Sequence, residues 1–305
     1  MTVPDPKTEI LERLVGWGNP TLLGLPNGSV HLYIDGTFRV SPNPFYQCLI
    51  IMVFDRSTRV YVPIMYILMT GKSFELYWHA LHWVIVCSYW RCEPSTVTCD
   101  FEKGLIKAVG EQFPKSKVNG CLFHWKQAIR RKMLKLKIDK EYVSMAMYIN
   151  VLDVLTIIPK NEIITKGIQY VREILESEDL NLSRDDLNKW HLFWEYFLSF
   201  WCSDNNWISS WNIVNEDGEF WEIQNRTNNA LERYNRKMNE IFGSPHPSVA
   251  LFIENIEIES RRQVTRLDDI RHERVHVGED REATINSIPH VYSTFVPATD
   301  MIGNV

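Results

Sequence analysis

The chain has 305 residues, a formal net charge of −5, 45% apolar residues and 12% aromatic residues. This composition supports a sizeable core and excludes a chain that is disordered throughout. The mild acidity excludes nucleic-acid binding through overall charge, so any such surface has to be a local basic patch.

Six cysteines, at 48, 87, 92, 99, 121 and 202, are scattered through apolar runs. They lack the dense spacing of a disulfide framework, which points to a reducing compartment. The opening MTVPDPKTEI has no basic start followed by an apolar core. The longest apolar window, around residues 83–90, is too short and interrupted to span a bilayer. A soluble intracellular protein is expected, with no membrane partner.

Residues 1–27 carry Pro and Gly with little periodicity and are expected to be a lead-in with one short helix at 9–15. Residues 30–38, 46–55 and 59–69 are β-rich runs, with turn residues at Asn43-Pro44 and Asp55-Arg56-Ser57 between them. They predict an antiparallel meander, and Pro63 inside the third run predicts an edge position or a bulge. Residues 70–73 offer a cap for a helix through Leu76, Trp83, Val84 and Cys87. A strand at 96–100, a helix to about Gln112, a short strand ending near Cys121 and another helix follow. The order βββαβαβα predicts an α/β fold, a mixed sheet with helices on its faces.

From about residue 140 to 211 the texture is helical and rich in aromatics (WHLFWEYFLSFW). A helical insertion with its own aromatic core is expected, base stacking being the alternative use of those rings. A helix at about 228–242 is stopped by Gly243-Ser244-Pro245, and another starts after Pro247. The expected organisation is a lead-in 1–27, a core 28–139, the insertion 140–220, closing helices 221–262 and a partly irregular tail 263–305.

Asp35 lies in the apolar run LYIDGTF, where an unpartnered acid is costly to bury. Asp-Gly is also a common hairpin dipeptide, so a turn or a satisfied polar residue is the plainer reading. Asp100 ends a strand and opens a helix, where Asp is a good N-cap. Two strand acids brought side by side would instead repel unless a cation lay between them, and hard divalent ions accept that arrangement. Glu232 falls with Asn228, Asn235 and Arg236 beside the apolar stripe Leu231, Tyr234, Met238 and Ile241. It reads either as part of a solvated face or as the rim of a site. Glu102 reads as an acid of a helix first turn, favoured by the dipole. Two Asp and one Glu so disposed meet the needs of two-metal phosphoryl transfer.

The segments HLYIDGTF, STVTCDFEKGLIKAV, CLFHWKQAI and NRTNNALERYNRKMN, in that order, resemble the transposase domain of Mutator-like elements (MULE transposases) over roughly residues 30–245. The resemblance implies an RNase H-like mixed sheet, three antiparallel strands first, with a helical insertion before the last catalytic helix. It implies that Asp35, Asp100 and Glu232 are catalytic and hold two Mg2+ or Mn2+ ions. Cys121 and His124 match the family's Cys-x-x-His, and Thr227, Asn228, Asn229 and Glu232 its T-N-N-x-x-E. The implied activity is metal-dependent DNA strand cleavage and strand transfer, on double-stranded transposon ends and target, in the nucleus, with a homodimer as one expected assembly. The alternative is a silent or domesticated remnant that binds DNA or protein, because the zinc modules usual in the family have no counterpart pattern in the sequence.

Cys121 and His124 are half a zinc site by spacing, and without a suitable second pair no structural zinc is expected. Lys126, Arg130, Arg131, Lys132, Lys135 and Lys137 form a basic run, read as a solvated face or as a phosphate track. In the track reading Lys126, Arg130, Arg131 and Lys137 contact DNA. Arg226, Arg233 and Arg236 beside Glu232 are a second cationic group, in which Arg236 is a further DNA contact and a surface ion pair is the plainer alternative.

Overall fold

The computed structural model describes residues 1–4, 11–26, 30–214, 229–276 and 287–297. In chain order the elements are β1 (Thr2–Pro4), β2 (Leu11–Trp17), α1 (Pro20–Leu23), β3 (His31–Thr37), β4 (Gln47–Asp55), β5 (Val60–Met69), α2 (Phe74–Cys87), β6 (Thr96–Cys99), α3 (Lys103–Gln112) and β7 (Lys117–Gly120). They continue with α4 (Leu122–Lys135), α5 (Lys140–Ala146), α6 (Lys160–Glu162), α7 (Ile168–Leu175), α8 (Arg184–Tyr196) and α9 (Asn205–Trp211). After residues 215–228 come α10 (Asn229–Phe242), α11 (Val249–Arg271) and α12 (His290–Thr294). The chain divides into two compact units, residues 1–121 with 227–281 and residues 122–226 with 282–305.

The first unit holds a mixed sheet of seven strands in the order β1-β2-β5-β4-β3-β6-β7. The meander β3-β4-β5 is antiparallel, whereas β3-β6 and β6-β7 are parallel and joined through helices, as crossover connections require. One expectation is corrected here. Residues 11–17 form a strand rather than lying in a helix at 9–15, because β5 offers its edge and Leu14 pairs with Met69. The meander is therefore not the outer limit of the sheet; β1 and β2 extend it. Pro63 marks a bulge in an interior strand: Ile51 pairs with Met65 and Met52 with Pro63, so Ile64 is the extra residue.

Alternation along the strands sorts the core into two faces. Leu32, Ile34, Leu49 and Ile51 pack with Leu76, Leu81, Leu105 and Val109 of α2 and α3. Tyr33, Ile50, Met52 and Tyr66 pack with Leu231, Met238, Phe252 and Ile256 of α10 and α11. α2 starts where Ser73 accepts a hydrogen bond from Leu76 N, and α10 ends at Gly243, whose φ of +66° suits glycine.

The second unit is helical. Its core is aromatic: Trp125, Trp190, Phe193, Phe197 and Trp201 are buried, and Trp125 stacks on Trp211 at 5.7 Å. The segment rich in Trp and Phe is thus core, as its edge-to-face contacts also show. The sequence placed α4 with the core sheet, whereas its stripe Trp125, Ile129 and Met133 is buried and the helix groups with this second unit.

Candidate active site

Asp35 occupies the middle of β3, opposite Ile50, and Gly36 continues the ladder opposite Leu49. The Asp-Gly pair is therefore not a hairpin turn. A Cβ at 36 would lie 2.5 Å from Gln47 Oε1, so a larger residue there would have to displace the end of the Gln47 side chain. Asp35 shares its face with Tyr33, the face covered by α10. It is 6% exposed, and Asn235 Nδ2 donates to its Oδ2 at 2.9 Å while the Gly36 N–H donates to Oδ1 at 3.0 Å.

Asn235 makes this bond at a cost. Its Oδ1 is buried with no hydrogen-bond partner among the described residues. Such an atom forfeits about 1–3 kcal/mol of solvation. A side chain chosen only for stability would not be left so, and the arrangement fits one that holds Asp35 in place.

Asp100 follows β6, is half-buried, and accepts the Phe101 N–H at 2.6 Å. It is not the cap of α3. That position belongs to Glu102, whose side chain makes no capping bond and instead takes hydrogen bonds from Lys72 Nζ and Tyr77 Oη. Tyr77 in turn accepts from Gln47 Nε2 at 2.9 Å. Gln47, Tyr77, Glu102 and Lys72 thus form a polar chain beneath the strand ends. Nothing in the residue spacing announces it, because its members come from β4, α2 and two loops. Burial raises the Tyr77 hydroxyl well above its ordinary range, and the Glu102 charge adds to the rise.

Glu232 lies in the first turn of α10, and Cys121 Sγ approaches its Oε1 at 3.8 Å. Burial pushes the Cys99 thiol up, and the charges of Asp100, Cys121, Asp35 and Glu102 add to the rise. One thiol therefore feels groups within β3 and at the ends of β6 and β7 together. The oxygens of Asp35, Asp100 and Glu232 do not form a trio within 4.8 Å of one another. A pair of ions about 3.5–4 Å apart would span a wider frame than that. Their donor set is all carboxylate oxygen, which suits hard divalent cations.

Gly120 is a site residue that the spacing did not reveal. It pairs with Cys99 at the end of β7, and a Cβ there would lie 2.0 Å from the Phe101 ring. A larger residue at 120 would force the ring of the residue next to Asp100 to move.

Asn229 begins α10 and is exposed, and Arg236 is exposed on the same helix. Asn228, Thr227 and Arg226 lie outside the described residues. Cys121 closes the first unit, and His124 lies in the first turn of α4 in the second. Lys126 is engaged in an ion pair with the buried Asp153 at 2.8 Å, so it is not a free member of a basic face. Arg131 donates to Gln127, and Lys132 lies 4.4 Å from the Tyr196 ring centre. Lys137 falls after the helix, in a left-handed conformation with φ of 60°, rather than on a shared helical face with Lys126 and Arg130.

Among the described residues no helix is long and apolar enough to cross a membrane. No curated protein matches the chain. Residues 31–128 match the family model of the MULE transposase domain, a segment that includes Asp35, Asp100, Cys121 and His124 and stops short of Glu232. The segment from β3 into α4 is thus similar to the MULE transposase domain, whose family is one of DDE transposases.

Proposed function

We propose that this chain is the catalytic part of a MULE-type transposase with an RNase H-like core, cleaving DNA strands and joining them to a target. Asp35, Asp100 and Glu232 would hold two divalent ions, Mg2+ or Mn2+. When bound, such ions activate an attacking oxygen and stabilise the charge on the leaving one. The protein's part is to fix the carboxylates. β3 and β6 are rigid mounts for two of them, and α10 brings the third.

The observation that carries this reading is the Asn235–Asp35 hydrogen bond, at 2.9 Å and 200 residues apart in sequence. It ties the helix of Glu232 to the strand of Asp35, although Glu232 lies outside the matched segment. Double-stranded DNA is the substrate in this reading and the nucleus its setting; Cys121, beside Glu232, belongs to the site's framework.

The test is nicking of a labelled duplex in Mg2+ or Mn2+, with Asp100→Asn as the comparison. Metal-dependent nicking that disappears in the variant supports the proposal. Absence of nicking by a folded wild-type chain, also after a DNA-binding module is fused to it, would overturn it.

A further inference from the structure

A second feature of the first unit is a cavity of about 420 Å³ bounded by the β4–β5 turn, α10 and α11. Its lining includes Arg59, Arg233, Lys237, Arg266 and His276, and among the described residues no carboxylate. Lys237 is neutralised by the buried Glu259, to which it donates at 2.6 Å. The three arginines have no ion pair among the described residues, and their side chains stand exposed at the rim. Gln263, 5% exposed, also lines the cavity, and its Oε1 meets no hydrogen-bond donor of the protein among the described residues.

The rim is preorganised. Asp55 accepts hydrogen bonds from the hydroxyls of Ser57 and Thr58, and Arg271 of α11 reaches it at 3.5 Å. This pins the turn that carries Arg59 to the helix that carries Arg266. Like charges gathered in this way repel unless an anion lies among them. Guanidinium groups exposed around an open depression match a polyanion lying across it better than a small molecule enclosed within it.

The cavity also lies near the acid site along the sheet. Met52 lines it and is paired with Tyr33, two residues along β3 from Asp35 and on the same face. Two residues of a strand span about 7 Å. Arg233 follows Glu232 directly on α10.

We propose that Arg59, Arg233 and Arg266 hold the phosphodiester backbone of duplex DNA beside the acids. This rests on the reading of the chain as a DNA-cleaving enzyme and adds where the flanking phosphates lie: in this cavity, rather than along α4.

The test is the salt dependence of duplex binding by the full chain in EDTA, where no cleavage occurs. Removing one arginine–phosphate pairing lowers the slope of log K against log salt by nearly one. The triple variant Arg59→Gln/Arg233→Gln/Arg266→Gln is expected to show a slope lower by about two to three and to bind about 10-fold or more weakly at moderate salt. Arg91→Gln, outside the cavity, is expected to leave the slope unchanged. An unchanged slope in a triple variant of wild-type thermal stability would overturn the proposal. So would wild-type protein that binds no duplex without metal. Thermal stabilisation of wild type, but not of the variant, by pyrophosphate with DNA binding unaltered would also overturn it, assigning the cavity to a small anion. Loss of nicking alone would count against the active-site reading and leave this binding measurement standing.

Discussion

Asn235 donates to Asp35 from α10 to β3, at 2.9 Å, while its own carbonyl oxygen is buried without a partner among the described residues. The bond orients a carboxylate that is 6% exposed, so the two residues are coupled in both stability and activity. Asn235→Ala is expected to destabilise the chain by about 1–3 kcal/mol, because a buried acceptor loses its donor. Nicking should fall further than that, through kcat rather than KM. Asp35→Asn keeps the shape and removes the charge; it should abolish nicking while its urea midpoint stays equal to wild type or rises. Denaturation and nicking measured on the same preparations check both outcomes.

Gly120 governs the position of Phe101, and so the backbone that carries Asp100. A methyl group at 120 would lie 2.0 Å from the ring. Gly120→Ala must displace Phe101, at a cost of about 1–3 kcal/mol. The double variant Gly120→Ala/Phe101→Leu should recover much of the stability. If nicking is restored along with stability, the glycine acts through Phe101; if Gly120→Ala nicks normally from the start, the strand end does not position Asp100.

The central strands and helices were legible because their signals are local. Alternation, the Ser73 cap, the Gly243 stop and Pro63 each act within a few residues, and β6 and α3 lie where the pattern put them. β2 was not legible, since LERLVGW has an exposed face and becomes a strand only because the edge of β5 is there to receive it. Asp35 stood out as a charge inside an apolar run. Asn235 did not, because its partner is 200 residues away and an Asn on a polar helix face has no pattern of its own. The cavity arginines come from a turn and two helices, and no spacing links them. The basic run on α4 looked like a surface because helical periodicity cannot foresee that Lys126 meets the buried Asp153.

His31 provides a pH test of the sheet. It is 7% exposed, stacks on Tyr33 at 4.5 Å and shares a hydrogen bond with Thr98 Oγ1 at 2.9 Å. Burial, helped by the Arg56 charge, lowers its pKa from 6.5 to about 3. Below about pH 6.5 the unfolded chain takes up a proton that the folded chain refuses, so stability falls as pH drops from there toward about 3. The slope from one such group is at most about 1.4 kcal/mol per pH unit. Carboxylates contribute in the same range, so the quantity to compare is the difference between wild type and His31→Gln. Urea midpoints at pH 7 and pH 5 should be closer together in the variant; equal spacing in both proteins would show that His31 takes up its proton in the folded state.

The ion pair in the second unit distinguishes a structural lysine from a DNA contact. Asp153 is 4% exposed and accepts both Lys126 Nζ at 2.8 Å and the Asn150 N–H at 2.7 Å. Lys126→Met leaves that carboxylate short of its cation and is expected to cost about 1–3 kcal/mol, the lysine being partly exposed and the pair partly screened. Arg130→Gln, at an exposed position on the same helix, should stay within about 0.5 kcal/mol of wild type. Lys126→Met/Asp153→Leu should be more stable than the single variant, since replacing both partners removes the buried charge. Duplex affinity separates the two roles of the lysine. If Lys126 serves only Asp153, the double variant binds DNA with the wild-type salt slope; a slope reduced by about one assigns it a phosphate as well.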